Sequence, residues 1–423
     1  MNQCLTLFFV YIFLEGVLRK WILPGVPGSL LYGIKYLLLL AIIGIYLSKN
    51  KSESQPIVTP ASRAYKIYAF IVILSALTIT GATNGFAAGI ITIVQYTSPI
   101  ILISVIPIWL DSPRKLKQFL ICGCFISFIA LILAVVQYSS SPTALINKYA
   151  TDMDTGIATV GGAARVCSVF SYLTPFGDLC LVILSFSAML LSLRWEKMTR
   201  WVLITLLLLS LLGCLMTGSR SVVLLGCVYL VCIALYQGFY KQRWHLIYII
   251  ALVAVGGYFY YNAYGIEAID NFISRVNHAS HDVDTRITRQ FDITRMFDYS
   301  GAFGNGAGIA NISTQPFLVH KSEVDWEEEI GRVMIEFGFV GFLIVTGIRI
   351  FVWCYMVRLS RSIKDSYLSV ISWASILVIT PMTFYAQLCL YNWFAYIVYF
   401  TMIGLNIAVA QMDMRRKYPA NRP

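Results

Sequence analysis

Apolar runs of about twenty residues, separated by short polar or glycine-rich connections, repeat along this chain. A bilayer core about 30 Å thick takes roughly 20 apolar residues per helix, so each run reads as a membrane span. The pattern predicts twelve helices, near residues 3–19, 29–48, 66–84, 88–110, 118–138, 168–193, 201–219, 221–240, 245–262, 330–356, 366–386 and 388–411. The expected fold class is an all-α polytopic membrane protein with one large extracytoplasmic loop between helices 9 and 10. Helices 1–9 occupy residues 1–262, the loop 263–329, helices 10–12 residues 330–411, and a cytoplasmic tail 412–423.

Composition agrees with this pattern. Hydrophobic residues make up 58% of the 423 and charged residues only 13%, too little polar surface for a soluble globule. The opening "MNQCLTLFFVYIFLEGVLRK" has no basic leader and no A-x-A site, so the first helix is expected to stay in place. The ten cysteines lie almost entirely within apolar runs, where they behave as small hydrophobes rather than as a disulfide framework.

Charge adds an orientation. The connections "SKNKSESQPIVTPASRAYK", "DSPRKLK", "RWEKMTR", "KQRWH", "VRLSRSIK" and the tail "MRRKYPANRP" are basic and, by alternation, share one side. The positive-inside bias makes that side cytoplasmic and puts both termini there. The net charge of +11 is then mostly a topology signal, and no nucleic-acid partner is expected.

Ionisable residues within the spans are costly and therefore candidates for function. Lys35, Asp178, Arg220 and Glu336 all fall towards the outer side, which suggests an outward-opening pocket beneath the loop; pairwise salt bridges between helices are the alternative. Glu15, Arg19 and Lys20 in "EGVLRKW" also fall at the outer face. The two cations there oppose the positive-inside bias and call for an anionic partner, with Glu15 the nearest. Arg349 reads as lying near the cytoplasmic end of its span.

Three outer segments carry arginine: "GGAARVCSVFS" with Arg165, "TGSRS" with Arg220, and "DTRITRQFDITR" with Arg286, Arg289 and Arg295. Arginine offers a planar fork of donors suited to phosphate oxygens, and three such clusters favour an anionic ligand over lipid snorkelling or pairing with nearby aspartates. "FGNGAGIAN" follows, its Gly304 and Gly306 allowing tight turns with amides free to meet an anion. "DWEEEIGRVMIEFGFVGFL" then places four acids in five residues before an apolar run that also holds Arg332. A helix N-terminus favours one or two acids there, not four.

The order of these features resembles the O-antigen ligase and O-antigen polymerase superfamily of bacterial envelope proteins. An arginine precedes a short Ser/Phe stretch, T-G-S-R lies between two spans, a large loop carries paired arginines and a G-x-G turn, and a polar doublet stands nine residues before G-x-x-G. "EGVLRKWILPG" resembles the start of exopolysaccharide polymerase-like members. Gly338 and Gly341 match the last motif, which puts Glu327 and Glu328 at the doublet where the ligases carry histidine. That departure moves the weight towards a polymerase-like member, with ligase activity the alternative.

The resemblance implies an inverting, metal-independent glycosyl transfer from a polyprenyl-diphosphate-linked oligosaccharide to a growing glycan acceptor. It would take place at the outer face of the bacterial inner membrane, without a cofactor. Arg165, Arg220, Arg286 and Arg289 would stabilise the leaving diphosphate. Arg332, Asp178, Lys35, Gly304, Gly306, His278 and His281 complete the expected substrate-binding set. Glu327 is the first candidate for general base, followed by Glu336 or Asp178, then His278 or His281. The lipid bilayer, a chain-length regulator and a flippase are the further partners implied. A transporter or flippase of lipid-linked sugars is the rival class; it would need polar groups through the inner half of the bundle, where few appear.

Overall fold

The computed structural model describes residues 1–50, 59–150, 158–160, 163–240, 293–311, 314, 317–319, 329–384 and 392–417. The described residues are mostly helical. Ten helical stretches among the described residues are long and apolar enough to cross a membrane, which makes this a multi-pass membrane protein. The predicted span 245–262 lies outside the described residues. The first run forms α1 (Asn2–Val17), which continues through a π turn at Leu18–Ile22. Then come α2 (Gly28–Asn50), α3 (Pro60–Ser75), α4 (Gly81–Asn84), α5 (Phe86–Thr97), α6 (Leu102–Trp109) and α7 (Pro113–Tyr138). A two-residue antiparallel pair, β1 (Thr159–Val160) with β2 (Ala163–Ala164), precedes α8 (Leu173–Leu190), α9 (Lys197–Met216) and α10 (Arg220–Leu235). The last described helices are α11 (Ile293–Ser300), α12 (Glu329–Ser362), α13 (Ser366–Phe384) and α14 (Trp393–Lys417).

Local sequence sets the starts. Pro60 occupies the first turn of α3, and Thr59 and Ser62 form a reciprocal capping box before it. Leu37, Phe70, Phe125 and Leu224 stand exposed on their helices, as expected for surfaces that meet lipid. The helix α14 is buried almost throughout and packs against α6 and α13, forming the centre of the bundle. One end of the bundle gathers basic connections: Lys115 pairs with Asp111 at 2.7 Å, Arg416 with Asp365 at 2.5 Å, and Arg415 donates to the Asp111 carbonyl.

The helix α12 holds the main departure from the expected span. Gly338 adopts φ 69° and ψ −178°, a conformation that favours glycine, and the helix breaks there. On an unbroken helix Glu329 and Arg349 would lie about 30 Å apart. They meet at 2.5 Å, so the half 329–337 folds back beside the half 339–362. Arg349 lies about 20 Å from the Ser362 end of α12 and pairs inside the bundle.

The glycine segment fills the break. Asn305 and Gly306 amides donate to the Ile335 and Glu336 carbonyls at 2.7 and 3.1 Å, while Phe339 and Val340 amides donate to Gly301 and Ala302 carbonyls at 3.2 and 3.1 Å. These four hydrogen bonds supply partners to backbone groups at both broken helix ends. A Cβ on Gly304 or Gly338 would collide with the backbone of the other segment. The expectation of free amides at Gly304 and Gly306 is therefore corrected: they donate to the Ser300 and Glu336 carbonyls. Ala307, Asn311 and Thr314 are buried, so this part of the expected external loop is inserted among the helices.

Candidate functional site

A cavity of about 360 Å³ opens at the end of the bundle away from the basic connections, among α1, α2, α8, the start of α12 and the start of α14. Its charged lining is Glu15 and Arg19 from α1 and its π turn, Lys35 from α2, and Glu329 and Arg332 from the folded-back half of α12. Its walls are Tyr32, Tyr172, Trp393 and Phe394, with Asn392 beside them. Three cations and two carboxylates face one space, leaving an excess of positive charge.

Each cation is held differently. The Lys35 ammonium lies 2.8 Å from Glu15 and over the Tyr32 and Trp393 rings, at 3.3 and 4.2 Å from their centroids. Arg19 is 3.7 Å from the same carboxylate and donates to the Ala150 carbonyl at 3.0 Å. The anionic partner expected near Arg19 is thus Glu15, shared between two cations. Lys20 is buried and instead donates to the Ser168 carbonyl and to Cys167 Sγ, the latter at 3.4 Å, rather than to a carboxylate. Arg332 lies one turn beyond Glu329 on the folded-back helix, where i and i+3 share a face, and both reach the cavity.

Other expected site residues fall elsewhere. Glu336 is fully buried and does not line the cavity. Its Oε1 accepts from the Tyr96 hydroxyl at 3.0 Å and the Ala310 amide at 3.2 Å, which ties the glycine segment to α5 and α12. Asp178 accepts a hydrogen bond from Asn392 and lines a smaller cavity of about 40 Å³ with Ser221 and Tyr229. Asn392 therefore stands between the two spaces.

The first two arginine segments meet. Arg165 Nε donates to the Thr217 carbonyl at 3.0 Å, which fastens the connection after β2 to the turn that starts α10. Burial pulls the Arg165 pKa below its ordinary value, with Tyr149 and Tyr172 acting in the opposite direction. Arg220 heads α10, and its Nη1 is buried without a hydrogen-bond partner among the described residues. Neither arginine lines the larger cavity. Glu327, Arg286, Arg289, His278 and His281 lie outside the described residues.

Sequence reasoning assigned no binding role to Arg19 and did not single out Tyr32, Tyr172 and Trp393. The oppositely biased charges at the end of the first span were the available signal for Arg19. Aromatic residues near span ends are common at membrane interfaces and gave none. Among the described residues no cluster of three His, Cys, Asp or Glu could hold a metal ion.

The fold and site define the class as a predominantly helical, multi-pass membrane protein with a charged, aromatic-walled cavity. In comparison with known proteins, no family model matches the chain and no curated protein is significantly similar to it.

Proposed function

We propose that this protein is a membrane glycosyltransferase that polymerises polyprenyl-diphosphate-linked oligosaccharide repeat units into a surface polysaccharide. The cavity end of the bundle then faces outward and the basic end faces the cytoplasm of a bacterial inner membrane. The observation that carries the reading is one cavity that combines Arg19, Lys35 and Arg332 with Tyr32, Tyr172 and Trp393. Guanidinium and ammonium groups suit diphosphate oxygens, and aromatic faces suit the C–H faces of sugar rings.

In the reaction the donor's anomeric C–O bond breaks and the electron pair leaves on the diphosphate. Arg19 and Arg332 stabilise that developing charge, with Lys35 held ready by its ring cage. The acceptor hydroxyl attacks from the opposite face and passes its proton to a general base. Glu327 keeps that role on its place in the sequence motif. Glu336 is set aside as a base, because it is buried away from the cavity and engaged by Tyr96 and Ala310. Arg286 and Arg289 remain assigned to the diphosphate by resemblance.

Donor binding tests the reading. Protein in nanodiscs is titrated with polyprenyl diphosphate, and Arg332→Gln is expected to weaken binding about tenfold, the effect of one charge-assisted contact of 1–2 kcal/mol. Unchanged affinity in folded Arg332→Gln would contradict the cavity's role.

A further inference from the structure

Arg349 does not line the larger cavity, yet its Nη2 lies 2.5 Å from Oε1 of Glu329, which does. The two side chains are nearly buried, at 12% and 2% exposure, so little solvent screens the pair. Backbone hydrogen bonds to the glycine segment fix the far end of the folded-back half-helix at Gly338. At the near end, where Glu329 and Arg332 enter the cavity wall, the pair with Arg349 ties the two halves of α12 together.

We infer that Arg349 is a positioning residue: it latches the folded-back half-helix of α12 through Glu329 and so holds Arg332 against the anionic ligand. The inference rests on the proposed reading of the cavity as a diphosphate site. Arg349 also borders a space of about 10 Å³ lined by Tyr65, Tyr68, Tyr396 and Tyr399. The Tyr65 and Tyr399 hydroxyls meet at 2.7 Å, which stiffens that wall beside the arginine. A bidentate-capable guanidinium beside a carboxylate and a polar wall has one favoured orientation, unlike a lysine ammonium.

The latch and simple electrostatics predict opposite signs for one substitution. Glu329→Gln removes a negative charge from the cavity wall, so charge alone would tighten binding of polyprenyl diphosphate. A latch that is lost loosens Arg332 and weakens it. Nanodisc-embedded wild type, Glu329→Gln, Arg349→Lys and the neutral pair Glu329→Gln/Arg349→Gln are titrated with polyprenyl diphosphate, with Arg332→Gln as reference and melting followed in parallel. The neutral pair leaves no buried unpaired charge and keeps the assay open if a single variant does not fold. Expected are affinities about tenfold weaker for Glu329→Gln and the neutral pair, with Arg349→Lys between them and wild type. Tighter or unchanged binding in the folded variants overturns the latch while Arg332→Gln is weakened. Unchanged binding in Arg332→Gln instead overturns the diphosphate reading on which the latch depends.

Discussion

Glu15 on α1 and Lys35 on α2, twenty residues apart in sequence, form a buried ion pair at 2.8 Å that joins the two helices at the cavity wall. The Lys35 ammonium also lies over the Tyr32 and Trp393 rings, and both charges are largely buried although they line the cavity. Removal of one member leaves the other uncompensated, and a broken buried pair typically costs about 3–5 kcal/mol. Because Arg19 still neighbours Glu15, Lys35→Met is expected at the low end, about 3 kcal/mol. Equilibrium unfolding in mixed detergent measures this, and wild-type stability in Lys35→Met would show that the pair contributes little.

The crossing of Gly304 and Gly338 makes a second expectation. Alanine at either position must displace backbone, and the positive φ adds strain. Gly304→Ala and Gly338→Ala should yield little folded protein by fluorescence-detected size exclusion. Gly44 and Gly347 are helical, and a Cβ there meets nothing within 4 Å. Their alanine variants should fold normally, with a gain of up to about 1 kcal/mol. Equal yields from all four would contradict the backbone crossing.

Glu327 and Glu336 separate chemistry from architecture. Glu327→Gln should lower the transfer rate about a hundredfold while donor binding survives, because it removes a proton acceptor. Glu336→Gln should lower the melting temperature with little change in transfer per folded molecule, since Tyr96 and Ala310 already engage its carboxylate. A transfer defect in Glu336→Gln as large as that of Glu327→Gln, at matched folding, would return Glu336 to the catalytic set. Glu329→Gln is no neutral control for this series, because it breaks the pair with Arg349.

Orientation has its own test. Reporter fusions at Arg114, Lys197 and Lys364 should report cytoplasm, and a fusion at Ser280 the outside. A cytoplasmic signal at Ser280 would put the expected loop on the side without the polysaccharide acceptor.

The positions of most helices were legible because apolar runs of span length leave few alternatives in a bilayer. Lys35 was legible as a misfit charge in such a run, and Glu15 as the nearest anion to the misfit cations Arg19 and Lys20. The fold-back of α12 was not: the stretch 329–362 contains an apolar run of span length, and a glycine in a membrane helix is ordinary. Only the partner segment 301–306, distant in sequence until folding brings it to Gly338, defines the break. The same proximity turned a glycine turn expected to bind an anion into a cap for two helix ends. Glu336 illustrates the remaining limit, since a charge in a span marks either a site or a strut and only its partners decide.

The most direct measurement is polymer formation by purified protein in nanodiscs, given a polyprenyl-diphosphate-linked oligosaccharide as both donor and acceptor. The account predicts glycans longer than one repeat unit, with one polyprenyl diphosphate released per bond formed, and loss of both products in Glu327→Gln. Folded protein that binds the donor but leaves it unextended, or moves it across the bilayer without releasing diphosphate, would contradict it.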